Sequence, residues 1–281
     1  MKLYQTSSGN FLEKDGNFYP VTESWNSLIN RDELYGYLTS LCQSYAKIHS
    51  HPMTRLPECK LLAPIGSQEV WAAGVTYLRS REARKQESEQ SGAAHFYSKV
   101  YDADRPELFF KANPQRVAAP NTPVYIRKDS KWNVPEPELT LFINSQGKIQ
   151  GYTIGNDMSS RDIEGENPLY LPQAKIYDKS ASLGPCLSIP PEPLSPSTNI
   201  SLEIYRNQGM IFESRIQISQ IKRNFDDLVR YLFRECTFES GVFLMTGTGI
   251  VPPNDFSLME GDIIEISIDS IGKLVNTVSF R

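Results

Sequence analysis

Apolar positions alternate with polar ones along much of this chain, and helical spacing appears in only a few stretches. Residues 1–21 read as short strands turned at Asp15-Gly16, a dipeptide suited to a tight hairpin turn. A helix is expected next, with Asn30 as its cap, Glu33 three positions on, and Leu34, Tyr37, Leu38, Leu41, Tyr45 and Ile48 recurring at helical spacing. Ser50 to Gly66 carries three prolines and little periodicity, which places a domain boundary near residues 50–68. Val70 to Val75 predicts a buried strand leading into a charged helix from Leu78, where Arg79 to Lys85 alternates charge as a solvated face does. Further strands are expected at Glu107–Lys111, Leu139–Ile143, Ile149–Ile154, Ile200–Tyr205 and Ile211–Ile218, with a hairpin turn at Asn207–Gly209. Asn224 caps a helix over Phe225–Cys236 whose stripe is Leu228, Val229, Leu232 and Phe233. Gly261–Ile268 alternates again, and Ile271–Leu274 turns into a last strand. The pattern predicts an α+β, mainly β chain with a small N-terminal α+β domain over 1–67 and a larger domain over 68–281.

Composition narrows the class. In 281 residues a hydrophobic fraction of 40% suffices for a sizeable core, and a net charge of −4 with scattered basic residues gives no reason to expect nucleic acid. Cys42, Cys59, Cys186 and Cys236 are far apart with no Cys-x-x-Cys pair, which favours free thiols over disulfides or zinc. No long apolar run marks a membrane segment and no leader pattern is visible, so the expected location is the cytoplasm.

The candidate chemistry lies in Val134-Pro135-Glu136-Pro137-Glu138-Leu139. Two prolines hold this segment extended, and an extended chain sends Glu136 and Glu138 to the same face. Asp157 follows in Gly155-Asn156-Asp157, after two predicted strands. Carboxylates this close require either a raised pKa or a cation, and a set of carboxylate oxygens without Cys or His suits Mg²⁺, Mn²⁺ or Ca²⁺. A solvated strand edge is the alternative reading of Glu136 and Glu138 taken by themselves.

The motifs around these residues resemble the fumarylacetoacetate hydrolase family over about residues 68–281. Glu136 and Glu138 match its Glu-x-Glu. Asn156, Asp157, Ser159, Arg161 and Asp162 match its Gly-Tyr-Thr-x-x-Asn-Asp block. Lys175, Gly184-Pro185 and Thr246-Gly247-Thr248 follow in the family's order. The resemblance implies a mixed β-roll, or distorted barrel, with Mg²⁺ or a similar ion on the two glutamates and Asp157, and a homodimer or homotetramer. Hydrolases and decarboxylases of the family carry a water-activating His after Gly-x-Asn-Tyr, where this chain has Ser80. His49 and His51 lie in the N-terminal part, and His95 lies past the charged helix.

A metal on three carboxylates leaves positions open for a 2-oxo acid, whose keto group it polarises towards an enolate. Ala72–Tyr77, Ser80–Arg84, Arg105–Lys111 and Arg161–Lys175 look like a branch that removes water from 2-keto-3-deoxy sugar acids to give 2,5-dioxopentanoate. On that resemblance Lys175 is the candidate base and Glu107 the candidate acid. Arg161, Thr248 and Ser80 are candidate substrate-binding residues. Each also has a structural reading: Lys175 as a surface or carboxylate-pairing lysine, Glu107 as a strand-start glutamate, Arg161 as a salt-bridged scaffold residue, Thr248 as part of a turn. The rival functions are a C–C hydrolase, decarboxylase or isomerase of the same fold, and a non-catalytic metal- or ligand-binding module.

Overall fold

The computed structural model describes residues 1–44, 59–87 and 94–281. An N-terminal meander of β1 (Lys2–Thr6), β2 (Gly9–Lys14) and β3 (Asn17–Val21) precedes α1 (Trp25–Ile29) and α2 (Leu34–Ser44). The expected turn at Asp15-Gly16 is present, both residues having positive φ. Asn30 plays a different part from the one its spacing predicts. It ends α1, its N–H donating to Asn26 O, and its side chain binds Ser145 N and Glu239 O. An Asx side chain satisfies whichever orphan backbone group tertiary packing brings near, and here those belong to the neighbouring loops. Tyr45, Ile48 and most of the proline-rich stretch lie outside the described residues, as do His49 and His51.

The next elements are β4 (Glu69–Gly74), α3 (Leu78–Glu87), α4 (Ala94–Asp102), β5 (Glu107–Ala112), β6 (Val117–Ala118), β7 (Pro123–Tyr125), β8 (Asn133–Val134) and β9 (Pro137–Ile143). They are followed by β10 (Ile149–Asp157), β11 (Ser159–Ser160), α5 (Arg161–Glu166), α6 (Leu171–Lys175) and β12 (Ala181–Ser188). The chain ends with β13 (Asn199–Arg206), β14 (Gly209–Gln217), α7 (Phe225–Leu232), β15 (Val242–Met245), β16 (Ile263–Ile268) and β17 (Gly272–Ser279). Asn224 caps α7 as expected, accepting from Asp226 N at 2.9 Å, but the helix stops before Phe233 instead of reaching Cys236. Phe233 forms the C-cap and packs on Phe238, with ring centroids 5.0 Å apart.

Two open sheets carry the molecule. The larger runs β3-β2-β1-β12-β10-β9-β15-β4-β5 with β6 beside β12, and the smaller runs β14-β13-β16-β17-β7. The distorted barrel expected from the motifs is thus a roll of two sheets with free edges, not a closed cylinder. Strand periodicity sorts the core. In β9 and β15, Leu139, Leu141, Ile143, Val242 and Leu244 face the smaller sheet, where Ile200, Leu202, Ile204, Ile264 and Ile266 meet them. Phe142, Phe243 and Met245 point the other way, onto Leu28, Ile29, Leu34 and Leu38 of α1 and α2. Central strands buried on both faces read as the near-continuous apolar runs Leu139–Ile143, broken only by Thr140, and Val242–Met245.

Candidate active site

Pro137 opens β9 and contributes no N–H to the ladder, and Glu136 stands just before the strand. The antiparallel register sets Pro137 opposite Asn156 of β10, and Asp157 N donates to Glu136 O at 3.0 Å. Asp157 therefore lies across from Glu136 on the face that Glu138 shares. One carboxylate oxygen from each residue lies within 4.8 Å of the others, and all three residues are buried. Gly247 donates its N–H to Glu138 Oε2 from the loop after β15. That glycine has φ +92, and a side chain there would strike Thr76, whose hydroxyl bonds Thr246 O at 2.7 Å. The loop after β15 and the turn after β4 are thereby strapped together over the acids.

Basic groups surround the triad. Lys175, fully buried at the end of α6, donates to Glu136 Oε2 at 2.9 Å, Asp157 Oδ2 at 3.0 Å and Ser159 Oγ at 2.6 Å. A surface lysine is excluded by that burial. Arg161, at the start of α5, bonds Glu136 Oε1 at 2.7 Å. Lys111 of β5, also fully buried, meets Asp157 Oδ1 and donates to the main-chain oxygens of Met158, at 3.0 Å, and Lys175.

The electrostatics follow from this arrangement. Burial raises Glu136, but the Lys175 and Arg161 charges outweigh it and hold its carboxyl well below the usual range. Burial raises Glu138, and the charges of Asp157 and Glu136 push it up further. A divalent cation among the three acids would remove that repulsion, and the all-oxygen donor set fits a hard ion. Burial brings Lys111 down to about 8 against the pull of Asp157.

Glu107 begins β5 and packs against Gly74, which lines the cavity, but is not itself among the lining residues. Its Oε2 is buried without a hydrogen-bond partner, and burial raises its carboxyl despite the opposing charges of Arg84 and Lys175. Any side chain at Gly74 would collide with that oxygen. Ser80 and Thr248 line the same cavity, but their hydroxyls are engaged locally. Ser80 Oγ accepts from Tyr77 N at 3.1 Å and donates to Tyr77 O at 2.8 Å, bracing the first turn of α3. Thr248 Oγ1 bridges Ile250 O and N, each at 3.2 Å. The cavity leaves about 10 Å³ open to a water-sized molecule. His95 is exposed on α4.

Two residues of the site went unread in the sequence. Lys111 carried a usable signal, because a lysine inside the apolar strand Leu108-Phe109-Phe110-Lys111-Ala112 is buried only when it is paired. Arg84 was hidden in a helix face expected to be solvated. It is 5% exposed, lines the cavity and pairs with the buried Glu164 of α5.

Comparison with known proteins agrees with this geometry. The profile described as "Fumarylacetoacetate (FAA) hydrolase C-terminal" matches residues 69–279. A probable 2-keto-3-deoxyxylonate dehydratase of Haloferax volcanii is 46% identical over 217 residues, 77% of this chain and 74% of that protein. A 2-dehydro-3-deoxy-D-arabinonate dehydratase of Saccharolobus solfataricus is 41% identical over 229 residues, 81% of this chain and 77% of that protein. A solved 2-keto-3-deoxy-D-arabinonate dehydratase, complexed with magnesium and 2,5-dioxopentanoate, superposes with a TM-score of 0.86 at 33% identity over 100% of this chain and 99% of the other. With its acids, lysine and glycine loops in the same order along a matching fold, the chain belongs to the fumarylacetoacetate hydrolase family.

Proposed function

We propose that this protein is a divalent-metal-dependent hydro-lyase that converts a 2-keto-3-deoxy pentonate into 2,5-dioxopentanoate. The observation that carries the reading is a buried triad of carboxylates in which one fully buried lysine bonds two members. Glu136, Glu138 and Asp157 would hold the ion, Mg²⁺ in the first place, with Mn²⁺ or Ca²⁺ as substitutes of similar hardness. When bound, it supplies Lewis-acid polarisation of the substrate's keto group, which acidifies the neighbouring C3–H bond.

The protein's own groups then move protons. Lys175, after giving up one of the three protons it donates here, takes the C3 proton, the electron pair forms the C3=C4 double bond, and the C4 hydroxyl leaves as water with a proton from Glu107. Burial fits Glu107 for that part, since a carboxyl kept from solvent retains its proton more readily. Transfer of a proton from C5 to C3 then gives a C4=C5 enol. Protonation at C4 with loss of the C5 hydroxyl proton turns this enol into the aldehyde. Arg161 holds Glu136 in place and stands ready for the substrate carboxylate, while Ser80 and Thr248 shape the wall.

The reading also proposes a catalytic unit over 68–281, supported by the family match at 69–279, with a small N-terminal unit over 1–67. It further proposes a homodimer or homotetramer acting in cytoplasmic pentose breakdown. Among the described residues no helix is long and apolar enough to cross a membrane.

The test is incubation with 2-keto-3-deoxy-D-arabinonate and 2-keto-3-deoxy-D-xylonate in the presence of Mg²⁺, with carbonyl products identified by derivatisation. The expected result is 2,5-dioxopentanoate, lost on chelation and in a folded Lys175→Ala variant. Release of CO₂ or of a cleaved acid, or turnover that survives chelation, would overturn it.

A further inference from the structure

The cavity wall contains one basic group that the reaction above does not use. Among the polar lining residues, Glu136, Glu138 and Asp157 form the triad, and Lys175 and Arg161 bond Glu136. The hydroxyls of Ser80 and Thr248 are engaged by main chain. Arg84, itself ion-paired, enters from α3 on the same helical face as Ser80. Small neighbours let it in: Ala83 is 1% exposed and Ser80 8%. The ion partner, Glu164, stands outside the cavity lining on α5 and is 1% exposed.

A buried ion pair is a costly way to dock two helices, since apolar side chains of similar volume often do so with equal or greater stability. Its presence at a cavity wall suggests use of the charge. A guanidinium has five donors on a planar fork, so one edge can hold Glu164 while another faces a substrate oxygen. A 2-oxo acid held at the triad spends its carboxylate and keto oxygens there. What remains of a 2-keto-3-deoxy pentonate is polar only at its far, hydroxylated end.

We propose that Arg84 is a substrate-binding residue that takes the terminal hydroxyl of the substrate, with Glu164 as the positioning residue that aims its guanidinium. The assignment rests on the dehydratase reading and names what that reading leaves open, the group that distinguishes a sugar acid from a plain 2-oxo acid.

The test uses two unreactive ligands that differ by this one hydroxyl, 5-hydroxy-2-oxopentanoate and 2-oxopentanoate. Each is titrated calorimetrically into the Mg²⁺-loaded protein. The wild type is expected to bind the hydroxylated acid about tenfold more tightly, the lower end for a hydrogen bond to a charged group. In Arg84→Met the ratio is expected to fall to about one. Because that change strands Glu164, the double variant Arg84→Met/Glu164→Gln is measured as well, its fold checked by circular dichroism melting. A preference retained in the folded double variant overturns the assignment, as does a wild type that dehydrates the pentonate yet shows no preference. A wild type that neither binds these acids nor dehydrates any 2-keto-3-deoxy acid overturns the dehydratase reading and this assignment together.

Discussion

Glu107 shows how far one residue's environment is set by another's lack of a side chain. Gly74 has room for a hydrogen only, because Glu107 Oε2 occupies the place of its Cβ. Gly74→Ala is therefore expected to displace the carboxyl and to lower kcat by about 10²-fold or more, the range for loss of a positioned acid, with the melting temperature little changed. Steady-state kinetics beside a melt checks this; wild-type kcat in the variant would remove Glu107 from proton transfer. At this scale the acids were legible because proline restricts φ and an extended chain has a period of two. Lys111 and Arg84 were not, since their roles depend on Asp157 and Glu164, which are distant in sequence. The apolar neighbours of Lys111 signal that it is paired but not with which acid, and a charge on a helix such as Arg84 gives no signal until its partner's position is known.

Among the elements, the turns were easiest to read and the helix ends hardest. Asp15-Gly16 and the Asn207 turn fell where expected because positive φ is restricted to few residue types. The second turn is imperfect, with Gln208 held at φ 67 between β13 and β14. Gln208→Gly is expected to stabilise the protein by about 1 kcal/mol, the penalty for a left-handed non-glycine residue, without altering activity. A denaturant midpoint that falls in this variant would show that Gln208 makes contacts that outweigh its backbone strain. Asn30 and the last turn expected for α7 were misread for one reason: propensity locates a potential cap, while packing decides which backbone group receives it. Phe233 caps the end of α7, its N–H bonded to Val229 O and its ring packed on Phe238.

For the molecule as a whole, fold class and motif order were readable, but sheet closure was not. Whether strands close a cylinder or leave edges depends on pairing between remote segments such as β1 with β12 and β15 with β4. The larger sheet also links the site to global stability, since β9 and β10 carry the acids and lie at its centre. An ion bound by the native state alone should raise the melting temperature. At a hundredfold excess over Kd the gain is about 2.7 kcal/mol, worth several degrees in a chain of this size. Differential scanning calorimetry with and without Mg²⁺ measures it, and Asp157→Asn should abolish the shift; an equal shift in that variant would place the ion elsewhere.

The cavity beside the triad has about 300 Å³ free of atoms, of which the centres of water-sized molecules reach about 10 Å³. A five-carbon acid that enters only as the wall yields would bind in two steps. Association should then level off with rising ligand concentration instead of climbing linearly, and its ceiling should slow in viscous solvent.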